Sequence, residues 1–493
     1  MGEGKSLTDL GLTARGGREA RVTGLSLDSR EVAQGHLFAA LPGTRVHGAR
    51  FIATALERGA AAVLTDAEGA ALAAEALAGS EAALIVAAEP RAALAYAAAL
   101  WFGAQPATMV AVTGTNGKTS VATFLRRIWQ ELGFRAINLG TTGIEGDWQA
   151  PLKHTTPDPL TLHRALADAA RSGVDHGVME ASSHGLDQRR LDGVQIRAAG
   201  FTNFTQDHLD YHADFEEYFA AKAGLFARVL PEDGTAVINL DDARGIDMLA
   251  IARARGQDTI SVGETHGADL RILGQRFDAT GQILRLSWRG AVQQLRLGLI
   301  GGFQGQNATL AAGLALACGA EPAPVFRALE RLETVRGRMQ LAASRDNGAA
   351  VYVDFAHTPD AVATALRALR PHVMGRLIAI IGAGGDRDPG KRPLMGAAAL
   401  AHADMVIVSD DNPRSEDPAA IRAQVLAGAP GATEIGDRAE AILRGVDALA
   451  PGDALMICGK GHETGQIVGD TVYPFDDVEQ ASLAVAALDG RGL

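Results

Sequence analysis

Short runs of β-branched and aliphatic residues alternate with longer amphipathic or alanine-rich runs along most of the chain. Short apolar runs bounded by glycine and polar turns are typical of buried strands, and the longer runs between them are typical of helices. This alternation predicts α/β domains with parallel sheets. The predicted strands are residues 22–30, which end in a polar turn, 37–41, 61–65, 110–112, 177–179, 198–202, 350–353, 377–381, 405–408 and 454–457.

Residues 255–298 follow a different pattern, with polar and apolar positions alternating over 272–277 and 283–288. A period of two is typical of strands with one exposed face, so this segment predicts an antiparallel hairpin joined to a parallel sheet. At 493 residues the chain is too long for one hydrophobic core and suggests about three domains. The predicted divisions are a small α/β domain over 1–104, a central P-loop-type, mostly parallel sheet with helices over 105–337, and a Rossmann-like, doubly wound domain over 338–493.

The composition is that of an ordinary globular protein, with 47% hydrophobic and 21% charged residues. A net charge of −12 argues against a nucleic-acid partner, because phosphate backbones require a basic surface. The two cysteines, Cys318 and Cys458, provide no disulfide framework and indicate a reducing cytoplasm. The N-terminus lacks a signal-peptide pattern, and charged residues and proline interrupt the alanine-rich segment 85–101, so neither secretion nor membrane insertion is expected.

Residues 109–120 run from an apolar segment through a glycine turn into a helical pattern. A strand, a glycine-rich turn and a helix N-terminus in this order are typical of a phosphate-binding loop. The glycines allow backbone N–H groups to approach phosphate oxygens, Lys118 adds positive charge, and the Thr119 hydroxyl is a ligand for Mg²⁺. The loop is shorter than the common G-x-x-x-x-G-K-[ST] pattern, because Val112 stands at the position of its first glycine.

Glu180 follows the predicted strand 177–179, at the edge where open α/β sheets bind ligands. A carboxylate there binds Mg²⁺ while water completes the coordination, although a solvated loop glutamate has the same sequence pattern. His208 and His212 are four residues apart, but no glutamate follows His208 and no third ligand has a familiar spacing, which argues against a zinc protease. Lys222 lies on an apolar helix, where most lysines extend to solvent.

Four predicted strands of the segment 338–493 are each followed by a polar loop. Parallel strands end at the same edge of a sheet, so these loops are expected to form one ligand-binding surface. In the loop 410–414, Pro413 stiffens the turn, and Arg414 offers a planar guanidinium that matches a carboxylate. A ligand that carries a carboxylate is therefore expected at this edge.

The octet 113–120, Thr-Gly-Thr-Asn-Gly-Lys-Thr-Ser, resembles the ATP loop of the Mur ligases, which add amino acids to peptidoglycan precursors, and of the related folylpolyglutamate synthetases. Three later motifs resemble those of the Mur ligases that add the third amino acid. They are Gly-Gly-Asp-Arg-Asp at 384–388, Asp-Asn-Pro-Arg at 411–414 and Gly-Lys-Gly-His-Glu at 459–463. The folylpolyglutamate synthetases do not share this trio. One departure from the pattern is Pro389, in a surface turn where a polar residue is commoner.

The resemblance implies an ATP-dependent ligase that joins meso-diaminopimelate to UDP-N-acetylmuramoyl-L-alanyl-D-glutamate through an acyl phosphate. It implies Mg²⁺ bound by Thr119, Glu180, His208 and a carbamylated Lys222, with Lys118, Lys222, His208 and Glu180 as the catalytic residues. It also implies that 1–104 bind the uridine diphosphate, 105–337 bind ATP and carry the catalysis, and 338–493 bind the amino acid. The expected partners are these small molecules alone, and the expected state is a monomer.

Three groups of binding residues follow from the resemblance. Those for ATP are Gly114, Thr115, Asn116, Gly117, Lys118, Thr119, Ser120, Asn307, Arg338, Asp354 and His357. Those for the UDP-muramoyl dipeptide are Leu27, Ser29, Thr44, Arg45, His154, Thr155, Thr156, Ser182, Gln188 and Arg190. Those for diaminopimelate are Arg387, Asp411, Asn412, Pro413, Arg414, Gly459 and Glu463.

Two other functions stay open on the sequence. One is a different ATP-dependent ligase, such as a folylpolyglutamate synthetase, which phosphate release with each acceptor distinguishes. The other is a binding protein that responds to nucleotides without catalysis. The set of Lys118, Glu180, His208 and Lys222 argues against the second alternative, because binding alone does not require it.

Overall fold

The computed structural model describes residues 4–43, 46–205, 211–212, 214–278 and 280–491. Three of the predicted site residues, Thr44, Arg45 and His208, lie outside these ranges. Within the ranges, the strands form sheets of four, ten and six strands along the chain and two pairs of short strands. No helix in the described part of the chain is long and apolar enough to cross a membrane.

The N-terminal sheet has four parallel strands, which are Gly24–Ser26, His36–Ala39, Ala62–Thr65 and Ala83–Val86 in spatial order. The helices of this part are Ile52–Glu57, Ala67–Leu72, Ala74–Ala78 and Pro90–Phe102. An antiparallel pair, Lys5–Ser6 with Arg21–Val22, precedes the sheet in the chain. The predicted strand 22–30 ends early, because the Asp28 side chain accepts a hydrogen bond from the Arg30 N–H and begins the 3₁₀ turn Ser29–Glu31.

The central sheet has ten strands. From edge to edge they are Ala291–Leu297, Gly281–Trp288, Leu270–Asp278, Asp258–Gly263, Thr235–Asn239, Ile196–Phe201, Thr108–Thr113, His176–Glu180, Ala136–Gly140 and Gly143–Gly146. Pairing is parallel except among the first three strands and at the last one. The segment 255–298 therefore contains three antiparallel strands, whereas the sequence predicted a hairpin of two. The third strand, Ala291–Leu297, gives a weak sequence signal because it exposes most of its side chains.

Side chains of the central strands point alternately to two faces, and helices cover both faces. Val110 and Val112 belong to the core on one face, whereas Met109 and Ala111 belong to the core on the other. The helices on the first face are Lys118–Glu131, Gly302–Ala317 and Pro322–Leu329, and those on the second are Pro159–Arg171, Ser183–Asp187, Phe215–Gly224 and Gly245–Ala254. Burial on both faces explains why the sequence 109–112 is continuously apolar.

The C-terminal sheet has six strands, in the spatial order Gln340–Ser344, Ala350–Asp354, Ala454–Cys458, Leu377–Ile381, Met405–Val408 and Thr433–Glu434. Only the first pair is antiparallel. The prediction that four strands end at one edge is therefore confirmed. The remaining elements are the helices Pro359–Leu369, Lys391–His402, Pro418–Leu426, Arg438–Asp447 and Asp477–Leu488 and the hairpin of Gly465–Val468 with Thr471–Pro474.

A buried histidine joins the central and C-terminal parts. His372 accepts the Gly301 N–H at Nε2 over 3.0 Å, and its Nδ1 donates to the Asp278 carbonyl oxygen over 2.6 Å. This arrangement requires the neutral ring with the proton on Nδ1. Burial lowers the pKa of His372, in agreement with the neutral form. The contact holds the C-terminal sheet beside the helix Gly302–Ala317, which contributes to the cavity described below.

Candidate functional site

The turn after the strand Thr108–Thr113 has the backbone conformation of a phosphate-binding loop. Gly114 and Gly117 have φ angles of 144° and 85°, and the helix Lys118–Glu131 begins immediately after them. A Cβ atom on Gly114 would lie 1.8 Å from the Thr202 hydroxyl, so no larger residue fits there. The turn therefore presents backbone N–H groups and a helix N-terminus to an anion.

Lys118, the first residue of that helix, lies against the turn. Its ammonium donates to the carbonyl oxygens of Gly114 and Thr115, both at 2.8 Å. The Asn116 N–H donates to the side-chain oxygen of Asn203 at 2.9 Å, which anchors the turn to the neighbouring strand end. A positive charge and a fixed set of donors thus lie together, as phosphate binding requires.

Glu180 ends its strand beside the same loop and is buried, with 2% of its surface exposed. The Thr119 hydroxyl donates to Oε2 at 3.0 Å, and the Thr141 N–H donates to Oε1 at 2.9 Å. A solvated loop glutamate is therefore excluded. The described residues include no cluster of three or more His, Cys, Asp or Glu side chains suited to a metal. A cation held by Thr119 and Glu180 would thus share phosphate oxygens and water, an arrangement that suits Mg²⁺.

Lys222 comes to this loop from a distant part of the chain. It lies on the helix Phe215–Gly224 with 1% of its surface exposed, so it does not extend to solvent as helical lysines commonly do. Its Nζ donates to the Gly114 carbonyl oxygen at 2.8 Å and lies 4.4 Å from the centre of the Tyr218 ring. The tertiary structure thus places a buried amine at the phosphate-binding loop.

A cavity of about 290 Å³ lies beside the loop, between the central and C-terminal sheets. Of the eleven residues predicted to bind ATP, eight line this cavity and three belong to the loop behind it. The eight are Asn116, Gly117, Thr119, Ser120, Asn307, Arg338, Asp354 and His357, and the three are Gly114, Thr115 and Lys118. The structure therefore gathers residues from distant segments at one cavity of the size that small ligands occupy.

The C-terminal wall of this cavity carries both a cation and a carboxylate. The Arg338 guanidinium lies over the Phe355 ring, 4.7 Å from its centre. The Asp354 carboxylate accepts the N–H groups of Met339 and Ala356 at 2.7 and 2.9 Å. Burial raises the pKa of Asp354, and the nearby Arg338 opposes this effect. An aromatic ring and an arginine side by side suit a planar, anionic ligand such as a nucleotide.

A second cavity, of about 190 Å³, lies between the N-terminal and central sheets. Arg190 lies in the wall of this cavity, and its guanidinium donates to the Gln188 side-chain oxygen at 2.7 Å. Arg91 also lies in the wall, and two arginines at one cavity favour an anionic ligand. The lining residues are Leu27, Gln188 and Arg190, which were predicted to bind the nucleotide sugar, together with Leu41, Arg91, Asp158 and Pro159.

Among the described residues predicted for the nucleotide sugar, five do not line the second cavity: Ser29, His154, Thr155, Thr156 and Ser182. Thr156 donates to the Glu180 carbonyl oxygen at 2.8 Å and accepts the Ser182 N–H at 3.0 Å. Thr155 lies beside them, with its hydroxyl 3.1 Å from that of Thr141. The Arg190 guanidinium, in the cavity wall, donates to the Thr156 carbonyl oxygen, so Thr156 connects the second cavity with Glu180 beside the phosphate-binding loop. Ser29 is buried in its 3₁₀ turn, and His154 is exposed.

Two loops meet at the carboxyl edge of the C-terminal sheet. Asn412 donates its side-chain amide to Glu463 Oε2 at 2.8 Å, which ties the loop 411–414 to the loop 459–463. Arg414, two residues after Asn412, donates from its guanidinium to the Gly385 carbonyl oxygen at 2.7 Å. Arg414 has a φ angle of 50°, a conformation that costs free energy for any residue with a side chain. Its guanidinium is only partly buried, so it can still contact a ligand.

The remaining residues predicted for diaminopimelate lie at the same edge. Pro413 is buried between Asn412 and Arg414. A Cβ atom on Gly459 would lie 2.3 Å from the Asp411 carboxylate, so only glycine fits. A Cβ atom on Gly384 would lie 2.7 Å from Arg414 and 3.8 Å from the exposed Arg387, so the two arginines lie near each other.

The residues of these sites that sequence reasoning left unassigned include Asn203, Phe355 and Lys460. Asn203 and Phe355 follow the ends of the strands Ile196–Phe201 and Ala350–Asp354, so the rule that ligands bind at strand ends could have identified them. Lys460 is fully buried beneath the two C-terminal loops. Nothing in its local sequence indicates burial, because flanking glycines are equally typical of an exposed turn.

Sequence comparison agrees with this geometry. The family model described as "Mur ligase family, catalytic domain" matches residues 21–101, "Mur ligase middle domain" matches 112–315, and "Mur ligase, glutamate ligase domain" matches 337–461. Similar proteins from Bradyrhizobium diazoefficiens and Caulobacter vibrioides are both named UDP-N-acetylmuramoyl-L-alanyl-D-glutamate–2,6-diaminopimelate ligase. They are 49% and 50% identical to this chain, over 94% and 95% of it and 95% and 96% of their own lengths.

Structure comparison gives the same family. A solved structure of an enzyme with that name covers 98% of this chain and 99% of its own, with 34% identity and a TM-score of 0.72. A folylpolyglutamate synthase from Mycobacterium tuberculosis covers 81% of this chain and 96% of its own, with a TM-score of 0.61. At 20% identity, that second likeness shows a shared fold alone. With three family models matched in order and relatives aligned over nearly the whole length, the chain belongs to the Mur ligase family.

Proposed function

We propose that the protein is an ATP-dependent ligase that forms an amide bond between UDP-N-acetylmuramoyl-L-alanyl-D-glutamate and meso-diaminopimelate. The observation that carries this proposal is the surface of Asn412, Arg414 and Glu463, which offers a cation and a carboxylate to one ligand. It occurs in a chain about half identical to relatives that bear the name of this enzyme. The phosphate-binding loop supplies the ATP site that such a reaction needs.

The reaction has two steps. The D-glutamate carboxylate attacks the γ-phosphorus of ATP, the bond from that phosphorus to ADP breaks, and an acyl phosphate forms. The amine of diaminopimelate then attacks the acyl carbon, loses a proton, and displaces inorganic phosphate. Phosphoryl transfer depends mostly on positioning and neutralisation of charge. Lys118 and the N–H groups of the loop that contains Gly114 and Gly117 provide both for the transferred group.

Mg²⁺ fits this site because the Thr119 hydroxyl and the Glu180 carboxylate are 3.0 Å apart, and both are oxygen donors. When bound, the ion offsets the negative charge of the phosphate oxygens. Lys222 is proposed to be carbamylated, as the family resemblance implies, and its amine lies buried beside the phosphate-binding loop. Its carbamate and His208 complete the proposed set of metal-binding residues.

The three parts of the chain have separate proposed roles. Residues 1–104 bind the uridine diphosphate, 105–337 bind ATP and hold the reacting groups, and 338–493 bind the amino acid. The second cavity lies where the first two parts meet, and Arg190 in its wall suits the diphosphate. The residues between this cavity and Glu180, next to the phosphate-binding loop, are Thr155, Thr156 and Ser182.

Selection of diaminopimelate is proposed to rest on Arg414. Diaminopimelate and L-lysine carry the same attacking amine and differ by one carboxylate at the far end. The Arg414 guanidinium can pair with that carboxylate, and Glu463 can accept the neighbouring ammonium. Lysine would leave Arg414 without its partner, and sites built around a polar partner reject analogues that lack it by about 10⁴-fold or more.

The test is phosphate release with the UDP-muramoyl dipeptide, ATP, and either amino acid. The unmutated enzyme is expected to prefer diaminopimelate by about 10⁴ in kcat/KM, and Arg414→Ala is expected to lose this preference. Arg444→Ala is the matched control, because Arg444 is exposed on the helix Arg438–Asp447, away from these loops. Equal kcat/KM values for the two amino acids in the unmutated enzyme would contradict the proposal.

The same assay separates the two alternatives. A folylpolyglutamate synthetase would release phosphate with a folate acceptor and glutamate, and this fold is compatible with that activity. A binding protein without catalysis would bind ATP and release no phosphate with any acceptor. Identity near 50% to diaminopimelate-adding relatives, against 20% to the folylpolyglutamate synthase, favours the first function.

The enzyme is proposed to act as a monomer in the cytoplasm, with small-molecule substrates. Both cysteines are free: Cys458 is buried and Cys318 partly buried. Burial raises the pKa of the Cys318 thiol to about 12, so it stays protonated and unreactive at neutral pH. These properties suit a reducing compartment, where ATP is also available. Light scattering of the purified chain would test the monomeric state.

A further inference from the structure

Lys460 is a fully buried cation beneath the surface that the proposed function assigns to diaminopimelate. Its side chain is 0% exposed, whereas that of Glu463, three residues later, is 35% exposed. The Lys460 ammonium contacts Asn412 Oδ1 at 3.3 Å, Glu463 Oε2 at 3.4 Å and the Gly465 carbonyl oxygen. A charge buried this completely needs such partners, because removing an ion from water is costly unless protein groups replace its hydration.

These contacts determine how the Asn412 amide is turned. Asn412 Oδ1 accepts the Ile467 N–H at 2.9 Å as well as the Lys460 ammonium. Both partners are donors only, so the oxygen must face them. The amide nitrogen then faces Glu463, to which it donates at 2.8 Å. Lys460 thus helps to fix the orientation of Asn412, which also contacts Glu463.

The two donors occupy only one oxygen of Glu463. Oε2 receives the Asn412 amide and the Lys460 ammonium, whereas Oε1 accepts no hydrogen bond from any residue in the described ranges. Two donors at one carboxylate oxygen, one of them a cation, fix the rotation of the Glu463 carboxylate. Glu463 is therefore held in one orientation, with Oε1 available to a ligand.

We propose that Lys460 is a positioning residue, which orients the Glu463 carboxylate and directs Oε1 toward the distal ammonium of diaminopimelate. This inference rests on the proposed function, since it assumes that diaminopimelate binds at this surface. It adds a specificity determinant for the ammonium group, separate from the action of Arg414 on the carboxylate. Lys460 itself need not touch the ligand.

The test compares two acceptors in unmutated enzyme and in Lys460→Met, which retains a similar side-chain length without the charge. L-2-aminopimelate keeps the attacking amine and the distal carboxylate of diaminopimelate but lacks its distal amine. The unmutated enzyme is expected to prefer diaminopimelate by about 10² or more in kcat/KM, and Lys460→Met to lower this ratio at least tenfold. The KM for ATP is expected to stay unchanged. Lys5→Met, on the N-terminal part, is the control.

A double-variant cycle separates positioning from packing. Glu463→Gln is expected to lower the same ratio, and adding Lys460→Met to it is expected to change the ratio no further. Equal losses of kcat/KM for both acceptors in Lys460→Met would show that Lys460 only supports packing, and so would overturn the inference. Failure of the unmutated enzyme to ligate either acceptor would instead contradict the proposed function.

A second variant keeps the test decisive if Lys460→Met does not fold. Asn412→Asp retains the shape of the side chain but places a second acceptor opposite Glu463. It is expected to produce the same selective loss for diaminopimelate, because the donor that orients Glu463 is gone. An unchanged ratio in a folded Asn412→Asp protein would overturn the inference.

Discussion

His163 makes the stability of this protein sensitive to acid. It lies on the helix Pro159–Arg171, with 2% of its surface exposed and no hydrogen-bond partner for Nε2 in the described ranges. A Cβ atom on Gly193 would lie 2.7 Å from that nitrogen and 2.5 Å from the Ala95 carbonyl oxygen, so no space remains for solvent. Burial lowers the pKa of His163 from 6.5 to about 4.

The size of the effect follows from this shift. The unfolded chain binds a proton at His163 below about pH 6.5, and the folded chain only below about pH 4. The contribution of the neutral ring to stability is therefore complete above pH 6.5 and is lost as the pH falls toward 4. Integration between pH 7 and pH 5 gives a loss of about 2 kcal/mol from this group alone.

Urea unfolding at pH 7 and pH 5 measures this loss through the tryptophan fluorescence, since Trp101 lies on the adjacent helix Pro90–Phe102. His163→Leu cannot bind the proton. Between pH 7 and pH 5, the drop in its free energy of unfolding is therefore expected to be smaller than the drop in the unmutated protein by about 2 kcal/mol. His266→Leu, at an exposed position, is the control. The same pH dependence in the unmutated protein and in His163→Leu would refute the reasoning.

Three further predictions concern charged side chains. Lys118→Ala is expected to lower kcat about 10²-fold or more with an unchanged circular dichroism spectrum, because its charge acts on the transferred phosphoryl group; near-normal turnover would contradict the ATP-site assignment. Lys222→Arg is expected to be inactive, since guanidinium cannot be carbamylated, and intact mass should show an added carboxyl group in the active unmutated enzyme; an active enzyme with unmodified lysine would contradict this. Arg438 and Asp477, both 0% exposed, pair at 2.7 Å, so Arg438→Met is expected to lower the free energy of unfolding by about 3–5 kcal/mol. Arg438→Met/Asp477→Leu should recover most of this loss in thermal melting, and equal melting temperatures for the single and double variants would argue against an unpaired buried charge as the cause.

Much of the fold followed from local pattern. Strands buried on both faces have continuous apolar runs, as at 109–112, and polar turns marked the ends of most of the predicted strands, whereas Ala83–Val86, Ala136–Gly140 and Thr235–Asn239 were not predicted. The antiparallel part was only partly predicted. Ala291–Leu297 pairs through its backbone with Gly281–Trp288, and backbone hydrogen bonds leave no trace in a side-chain pattern.

The exposed or buried state of single lysines could not be predicted. Lys118, Lys222 and Lys460 are all chemically alike in the sequence, yet Lys222 and Lys460 are almost wholly enclosed. Enclosure depends on which segments pack over a side chain, and those segments are far away: Lys222 contacts the Gly114 carbonyl oxygen, 108 residues earlier. The family resemblance assigned a role to Lys222, whereas Lys460 lies in the family motif 459–463 but received no role from it.

The sequence by itself determined the elements with local causes: most of the parallel strands, the glycine turn at 114–117 and the helix that follows it. Positive φ angles and close backbone approach select glycine regardless of the rest of the fold. Only the tertiary structure decided that Asn307, Arg338 and His357 line one cavity with that turn, and that Lys460 lies beneath Asn412 and Glu463. Such arrangements arise from the packing of sheets and loops that are distant in the chain, which no local pattern encodes.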